Sequence, residues 1–330
     1  MKVTNVMGLP KALVEACTSD YKYTPHRYSV TAISSGAMQT VLKRKFDDKI
    51  EQDVSDMVWL LFGKAVHSVL ENSASEGTAE QKLATKLTIV DTETKDAFPV
   101  TISGIFDCKE QEGEIVDYKT ASTWKVKFGD FSDHEEQITG YAWLYEQTKR
   151  EKITKGRVVY FLKDYSKGDY LRDPSNPRNA VYVHEFDITE KMKIDWYDKM
   201  YKRVLEIEKA FAGDTLPKPC SEEERWCKKG KFAVKKKKTD AKALKLFDTI
   251  EEAEDYQKDG CYIGNVIEAR PEQNKMCEEY CTCNTFCPFY AEYMKRKTEI
   301  TYIDKMHKDG DKVEGTQELS LEGDEHEFDI

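Results

Sequence analysis

Two short strings constrain this chain more than any other part of it: Gly104-Ile105-Phe106-Asp107, and Glu114-Ile115-Val116-Asp117-Tyr118-Lys119-Thr120. Residues 98–107 read as a strand. The polar, Gly-containing stretch 109–113 reads as a turn, and 114–119 as the return strand. Antiparallel pairing about that turn brings Asp107 close to the level of Asp117. The two-residue period of a strand puts Asp117 and Lys119 on one face, with Tyr118 pointing away. Aspartate is disfavoured in strands, so one set among Ile, Val and Phe calls for a reason beyond solvation. A divalent cation needs clustered oxygen ligands, and a water bound to it needs help losing a proton. Two Asp and a Lys on one sheet face supply both; the plainer alternative is a solvated surface pair worth little.

The flanking segments weigh on that choice. Residues 54–72 include Met57, Val58, Trp59, Leu60, Leu61, Phe62, Ala65, Val66, Val69 and Leu70, a density that predicts a mostly buried helix. Gly63, His67 and Glu71 fall at i, i+4 and i+8, one narrow non-apolar stripe. His67 is therefore a candidate third ligand as neutral imidazole, set against the commoner role of a satisfied core histidine. Residues 133–150 predict a second helix, with Gln137 and Tyr141 at i, i+4 beside Ile138, Trp143, Leu144 and Tyr145.

These elements, in this order, resemble the PD-(D/E)XK nuclease superfamily, in particular its RecB-like branch and, within that, phage-type recombination exonucleases. The motifs read Gly63-Lys64-Ala65-Val66-His67, Gly104-Ile105-Phe106-Asp107, Asp117-Tyr118-Lys119 and Gln137-Ile138-Thr139-Gly140-Tyr141, and the match covers roughly residues 28–210. Each is weak alone; four in order are a strong signal. The proline of the family's name is absent, since Ile105-Phe106 precedes Asp107. The resemblance implies a restriction-endonuclease-like α/β core. It also implies hydrolysis of DNA with Mg2+ or Mn2+ held by His67, Asp107, Asp117 and the backbone carbonyl of Tyr118. Lys119 would orient or deprotonate the attacking water, Gln137 and Tyr141 would position DNA or nucleophile, and Glu71 would hold a further water or a second metal. The expected activity is an exonuclease resecting ends for recombination or repair. A structure-specific or CRISPR-adaptation-type endonuclease and an inactive DNA-binding scaffold are the alternatives. DNA is the implied partner, with a recombination annealing protein or a single-strand-binding protein beside it. A ring oligomer would explain processivity. No phosphate-binding Gly-x-x-x-x-Gly-Lys-Thr loop occurs, so unwinding would fall to a partner.

Net charge matters here because DNA repels acid. The chain of 330 residues carries −10, of which Met306–Ile330, with nine Asp/Glu and two Lys, carries −7 and the rest −3. Local basic stretches remain: Lys43-Arg44-Lys45, Lys228-Lys229, and Lys235–Lys238, the last read equally as a solvated hairpin turn or a DNA-backbone contact. The acidic end, Asp324 to Ile330, reads as a disordered solubilising tail, with docking on a basic partner or competition for the DNA groove as alternatives. No apolar run reaches membrane-spanning length and no signal pattern opens the chain, so a cytoplasmic protein of a bacterial or phage-infected cell is expected.

Nine cysteines without a secretory signal argue against a disulfide framework. Cys277, Cys281, Cys283 and Cys287 are densely spaced, with Cys220 and Cys227 upstream. Such thiolates suit structural Zn2+ or an iron–sulfur cluster, against a plainer reading of reduced, half-buried thiols. Some RecB-like nucleases hold a 4Fe-4S cluster with one distant and three clustered cysteines. That resemblance selects Cys220, Cys277, Cys281 and Cys287, with Cys283 as a rival. Cys17, Cys108 and Cys261 read as ordinary thiols. The order of elements predicts an α/β sandwich with a mixed sheet, divided as an arm (1–27), a nuclease core (28–213), a Cys-rich α+β segment (214–297) and the tail (298–330).

Overall fold

The computed structural model describes residues 1–18, 22–73, 79–109, 111–258 and 265–297. Cys261 and the acidic tail lie outside these residues. By packing the chain divides into two compact units, Met1–Cys227 with Asn274–Cys287, and Lys228–Gln273 with the C-terminal residues from Pro288. The segment 214–297 is thus shared, and Cys220, Cys277, Cys281 and Cys287 all fall in the first unit.

The first unit opens with β1 (Lys2–Thr4), α1 (Lys11–Cys17), β2 (Arg27–Ser29), α2 (Val30–Ser34), α3 (Ala37–Lys45) and β3 (Glu51–Asp53). Then come α4 (Val58–Ser73), β4 (Ala79–Val90), β5 (Ala97–Cys108), β6 (Glu114–Ala121), α5 (Thr123–Phe128) and α6 (Ser132–Lys149). β7 (Lys155–Leu162), α7 (Lys167–Arg172), β8 (Val181–Asp187) and α8 (Glu190–Ala212) complete it. The sheet order is β2-β5-β6-β7-β8, with β4 antiparallel to β5 along its length. β6 runs parallel to β7 and antiparallel to β5, so the sheet is mixed. Parallel β6 and β7 need a crossover, and α5 and α6 provide it.

α6 is enclosed on every side. Eight consecutive residues, Ile138 to Tyr145, are buried, because the helix packs against α2, α8 and strands β4 to β7. With Phe106, Ile115, Val158, Met200 and Val204 they form the main core. α8 turns Trp196, Met200, Val204 and Ile207 inward, while Phe211 stays partly exposed.

The segment 54–72 departs from expectation. Val54 and Met57 are buried in a single 3-10 turn, yet α4 itself contains no buried residue. Trp59, Leu60, Phe62 and Val69 face solvent. The apolar residues are as dense as in a core helix, but among the described residues α4 packs chiefly on α1, β6 and the 3-10 turn that precedes it.

The second unit holds β9 (Cys227–Lys228, shared at the boundary), β10 (Lys231–Lys235), β11 (Lys245–Phe247), α9 (Ile250–Lys258) and β12 (Val266–Arg270). β10 lies between β11 and β12, antiparallel to both. Lys235 belongs to β10, is buried, and pairs with Glu268 at 2.5 Å; of the run only Lys236 to Lys238 are exposed, as either reading of it, a solvated turn or a DNA-backbone contact, requires. No helix among the described residues is long and apolar enough to cross a membrane.

Candidate active site

The β5–β6 hairpin sets the centre of the site. Cys108 pairs with Val116, so one step along each antiparallel strand brings Asp107 level with Asp117. Asp107 Oδ2 accepts the backbone N–H of Tyr118 at 2.7 Å. Its Oδ1 meets Nδ1 of His67, from α4, at 3.1 Å. Asp117 is 2 % exposed, and Lys119 Nζ stands 2.5 Å from its Oδ2. Four of the expected residues, His67, Asp107, Asp117 and Lys119, therefore meet at one place as two neighbouring ion pairs.

The electrostatics follow from burial. Loss of solvent pushes the Asp117 carboxyl upward, and the like charge of Asp107 adds to it, against the opposing pull of Lys119. Burial alone would lower Lys119, but the carboxylates of Asp117 and Asp107 outweigh it and hold the ammonium up. The bond to Asp107 raises His67. Asp117 Oδ2, despite its ionic contact, has no hydrogen bond of acceptable geometry. A buried carboxylate oxygen without a good hydrogen bond is costly unless a cation meets it, and here the Lys119 ammonium is that cation.

That orphaned oxygen is the test of whether a metal fits. Carboxylates from Asp107 and Asp117 are hard oxygen donors suited to Mg2+ or Mn2+, and His67 can add a nitrogen. The residues fit such an ion, with Lys119 beside it. They are not a preassembled cage: among the described residues no three His, Cys, Asp or Glu side chains stand as a group that could hold a metal.

Gln137 and Tyr141 form the wall behind. Gln137 Nε2 donates to the Tyr141 hydroxyl at 3.0 Å. Tyr141 is buried, and burial together with the Asp117 charge raises its phenol. Gly104 explains part of this geometry: a Cβ there would lie 2.9 Å from Cε1 of Tyr141. Glycine lets β5 approach the α6 ring. Glu71, exposed near the end of α4 one turn beyond His67, makes no hydrogen bond or ion pair among the described residues.

Two neighbours of the site escaped the motif reading. Tyr160 of β7 stands beside Lys119 in the parallel register, and its hydroxyl lies 2.6 Å from Nδ1 of His134. Burial depresses His134 to about 4. Its place three residues before Gln137 on the same helix was the available signal.

The cysteines form a second cluster against α3. Cys220, Cys277, Cys281 and Cys287 are near enough for their charges to raise the Cys277 thiol, which burial and these neighbours push up to about 12. Burial lifts Cys220 to about 11. Cys283, fully buried, has its sulfur 3.6 Å from that of Cys281, whose thiol it lowers to about 6. Gly36, capping α3, leaves room for Cys220, since a Cβ there would fall 2.5 Å from its Sγ. The five sulfurs are all thiols. As placed, no three of these sulfurs stand as a group that could hold a metal among the described residues, and Cys220 and Cys277, held up as thiols, would release protons to a thiolate-binding metal.

The model of the PD-(D/E)XK nuclease superfamily matches residues 31–288. A search of curated proteins returns no match. Among solved structures, SSO0001 shares 14 % identity over 65 % of this chain and 88 % of its own, with a TM-score of 0.42. An alkaline exonuclease from Laribacter hongkongensis shares 9 % over 57 % and 91 %, at 0.33. A phage-related exonuclease from Haemophilus somnus 129PT shares 17 % over 65 % and 96 %, at 0.30. The family assignment rests on the sequence match, which spans both carboxylates, Lys119, Gln137, Tyr141 and the cysteines: the chain belongs to the PD-(D/E)XK nuclease superfamily.

Proposed function

We propose that this protein is a metal-dependent exonuclease that hydrolyses phosphodiester bonds at DNA ends, in resection for recombination or repair. The observation that carries the reading is the meeting of Asp107, Asp117 and Lys119 on β5 and β6, with one buried carboxylate oxygen lacking a good donor. Nucleases of this superfamily generally use divalent metals such as Mg2+. A divalent ion at this place supplies an acidified water and charge neutralisation at the scissile phosphate.

Asp107 and Asp117 would hold that ion, with His67 and the carbonyl of Tyr118 completing the set. Asp107 is already oriented by the Tyr118 N–H and His67. Lys119, freed from Asp117 once a cation takes its place, would turn its ammonium to the attacking water or to a phosphate oxygen. Tyr141, fixed by Gln137, would position the DNA backbone. In the same proposal Cys220, Cys277, Cys281 and Cys287 hold Zn2+ or a 4Fe-4S cluster that pins residues 274–287 to α3 and takes no part in hydrolysis.

Linear duplex DNA incubated with Mg2+ or Mn2+ tests this. The wild type is expected to degrade it from its ends while sparing closed circles. Asp117→Ala and Lys119→Ala should each lose at least about 100-fold in rate, and a chelator should abolish activity. Intact DNA with binding retained would favour a scaffold instead.

A further inference from the structure

The apolar residues that α4 leaves in solvent stand in a definite relation to the active-site strand. Trp59 and Phe62 lie with ring centroids 5.5 Å apart. Trp124 and Phe128, on α5, stack at 5.3 Å with their planes 19° apart. Both tryptophans are 58 % exposed. The two pairs flank the end of β6. Lys163 Nζ sits 4.5 Å from the Trp59 ring centroid, and the backbone N–H of Lys163 donates to Ala121, the last residue of β6, at 2.9 Å. Trp124 follows Ala121 by only three residues, and a Cβ placed on Gly63 of α4 would lie 3.7 Å from Oγ1 of Thr120 of β6.

Two exposed aromatic pairs, one stacked and one tilted by 43°, stand beside a strand that carries Asp117 and Lys119 and are not core that strayed. A second copy of this chain, a partner protein or a nucleic acid could cover them, and charge separates these. Lys163 has no carboxylate partner among the described residues; Lys127, 5.6 Å from the Trp124 ring centroid, is paired with Asp173 at 2.9 Å, so Lys163 is the unpaired charge of the two. Asp164, the acid next to Lys163, is spent on capping α5 through Ser122 and Thr123. Aromatic faces interleaved with lysine suit a strand whose bases are unpaired and whose phosphates run alongside. A closed duplex offers no free base faces to such rings, except at its terminal pair.

We infer that Trp59 and Trp124 are stacking platforms for the unpaired bases of a DNA strand led toward the carboxylate centre, so that this enzyme takes single strands or frayed ends in preference to blunt duplex. The inference rests on the nuclease reading above and adds the form of its substrate. Both rings are exposed, so their removal leaves the fold in place, and an unchanged thermal melt checks that.

The test is fluorescence anisotropy of the full chain, in chelator, with a labelled 20-nucleotide oligo(dT) and with a blunt duplex of the same length. Trp59→Ala and Trp124→Ala should each weaken oligo(dT) binding about 5- to 150-fold. Blunt-duplex binding should stay within about twofold, and Trp59→Phe, which keeps a stacking face, should recover most of the loss. Unchanged oligo(dT) binding in both Ala variants overturns the inference alone, provided the wild type still digests linear DNA. Equal losses on oligo(dT) and duplex overturn the base-stacking role. A shift in sedimentation of the variants toward smaller species overturns it in favour of an interface between copies. Failure of the wild type to bind or digest any DNA removes the nuclease reading and this inference with it.

Discussion

The two helices that flank the carboxylates, α4 and α6, are opposites in a way their sequences reverse. α4 is the more apolar by composition and has no buried residue. α6 opens with Ser-Asp-His-Glu-Glu-Gln, yet buries eight residues in succession. Each delivers its functional groups from one stripe, His67 from α4 and Gln137 with Tyr141 from α6. Composition reports how much apolar surface a helix offers, not whether the chain covers it. α6 lies between the sheet and α8 and has neighbours on every side. α4 meets the sheet mainly at β6, with His67 reaching Asp107 of β5, and turns its rings outward. The proposed catalytic centre thus has one enclosed wall and one open wall, the arrangement expected where substrate must enter along one side only.

The largest effect expected from this contrast is on stability. Leu144, fully buried on α6, should cost about 2–5 kcal/mol when cut to Ala, through lost burial and the cavity left behind. Urea unfolding measures it. A loss below about 1 kcal/mol would mean that the α6 wall is loosely packed and the contrast with α4 is smaller than the burial implies.

A second consequence of enclosing α6 is acid sensitivity. His134 is held near 4 by burial, with Asp133, Asp130, Lys119 and Lys125 as the charges acting on it and Tyr160 as its bonded neighbour. In the unfolded chain a histidine titrates near 6.5. Between these values the unfolded state binds a proton that the folded state refuses, so stability falls as pH drops from about 6.5 to about 4 and no further from this group below that. The total is at most about 3 kcal/mol. His134→Asn should flatten that part of the pH profile of the unfolding midpoint. An unaltered slope would place the acid-sensitive group elsewhere.

Gly104 probes the junction between strand and rigid wall. A methyl there meets the Tyr141 ring at 2.9 Å and Leu144 Cδ2 at 3.2 Å. Gly104→Ala should therefore cost about 1–3 kcal/mol. It should also lower cleavage beyond what stability explains, since it displaces the hydroxyl that Gln137 fixes. Cleavage measured well below the melting temperature separates the two effects; full activity there would remove Tyr141 from the positioning role.

What the sequence made legible follows the same division. The hairpin of β5 and β6 could be read because strand alternation and a Gly-containing turn are local, and the level match of Asp107 with Asp117 follows from them. Gln137 and Tyr141 could be read because i, i+4 spacing is local too. The approach of Tyr160 to Lys119 depends on the register of two parallel strands joined through α5 and α6, and no local pattern records it. The exposure of α4 was hidden for a related reason: an apolar stripe has the same period whether its cover comes from this chain or from a ligand. Lys235 makes the converse point, a lysine in a basic run that a single carboxylate, Glu268, draws into a strand.

The smallest expected effect is the one that would break the comparison most directly. Leu60 is exposed on α4 and belongs to neither aromatic pair. If α4 is the open wall, Leu60→Gln removes apolar surface that was never covered, and the unfolding free energy should change by no more than about 0.5 kcal/mol. The urea m-value should stay the same, because the area exposed on unfolding is the same. A loss above about 1 kcal/mol, growing with protein concentration, would mean that Leu60 is covered by a second copy. The open wall would then be a closed one that a single chain cannot display.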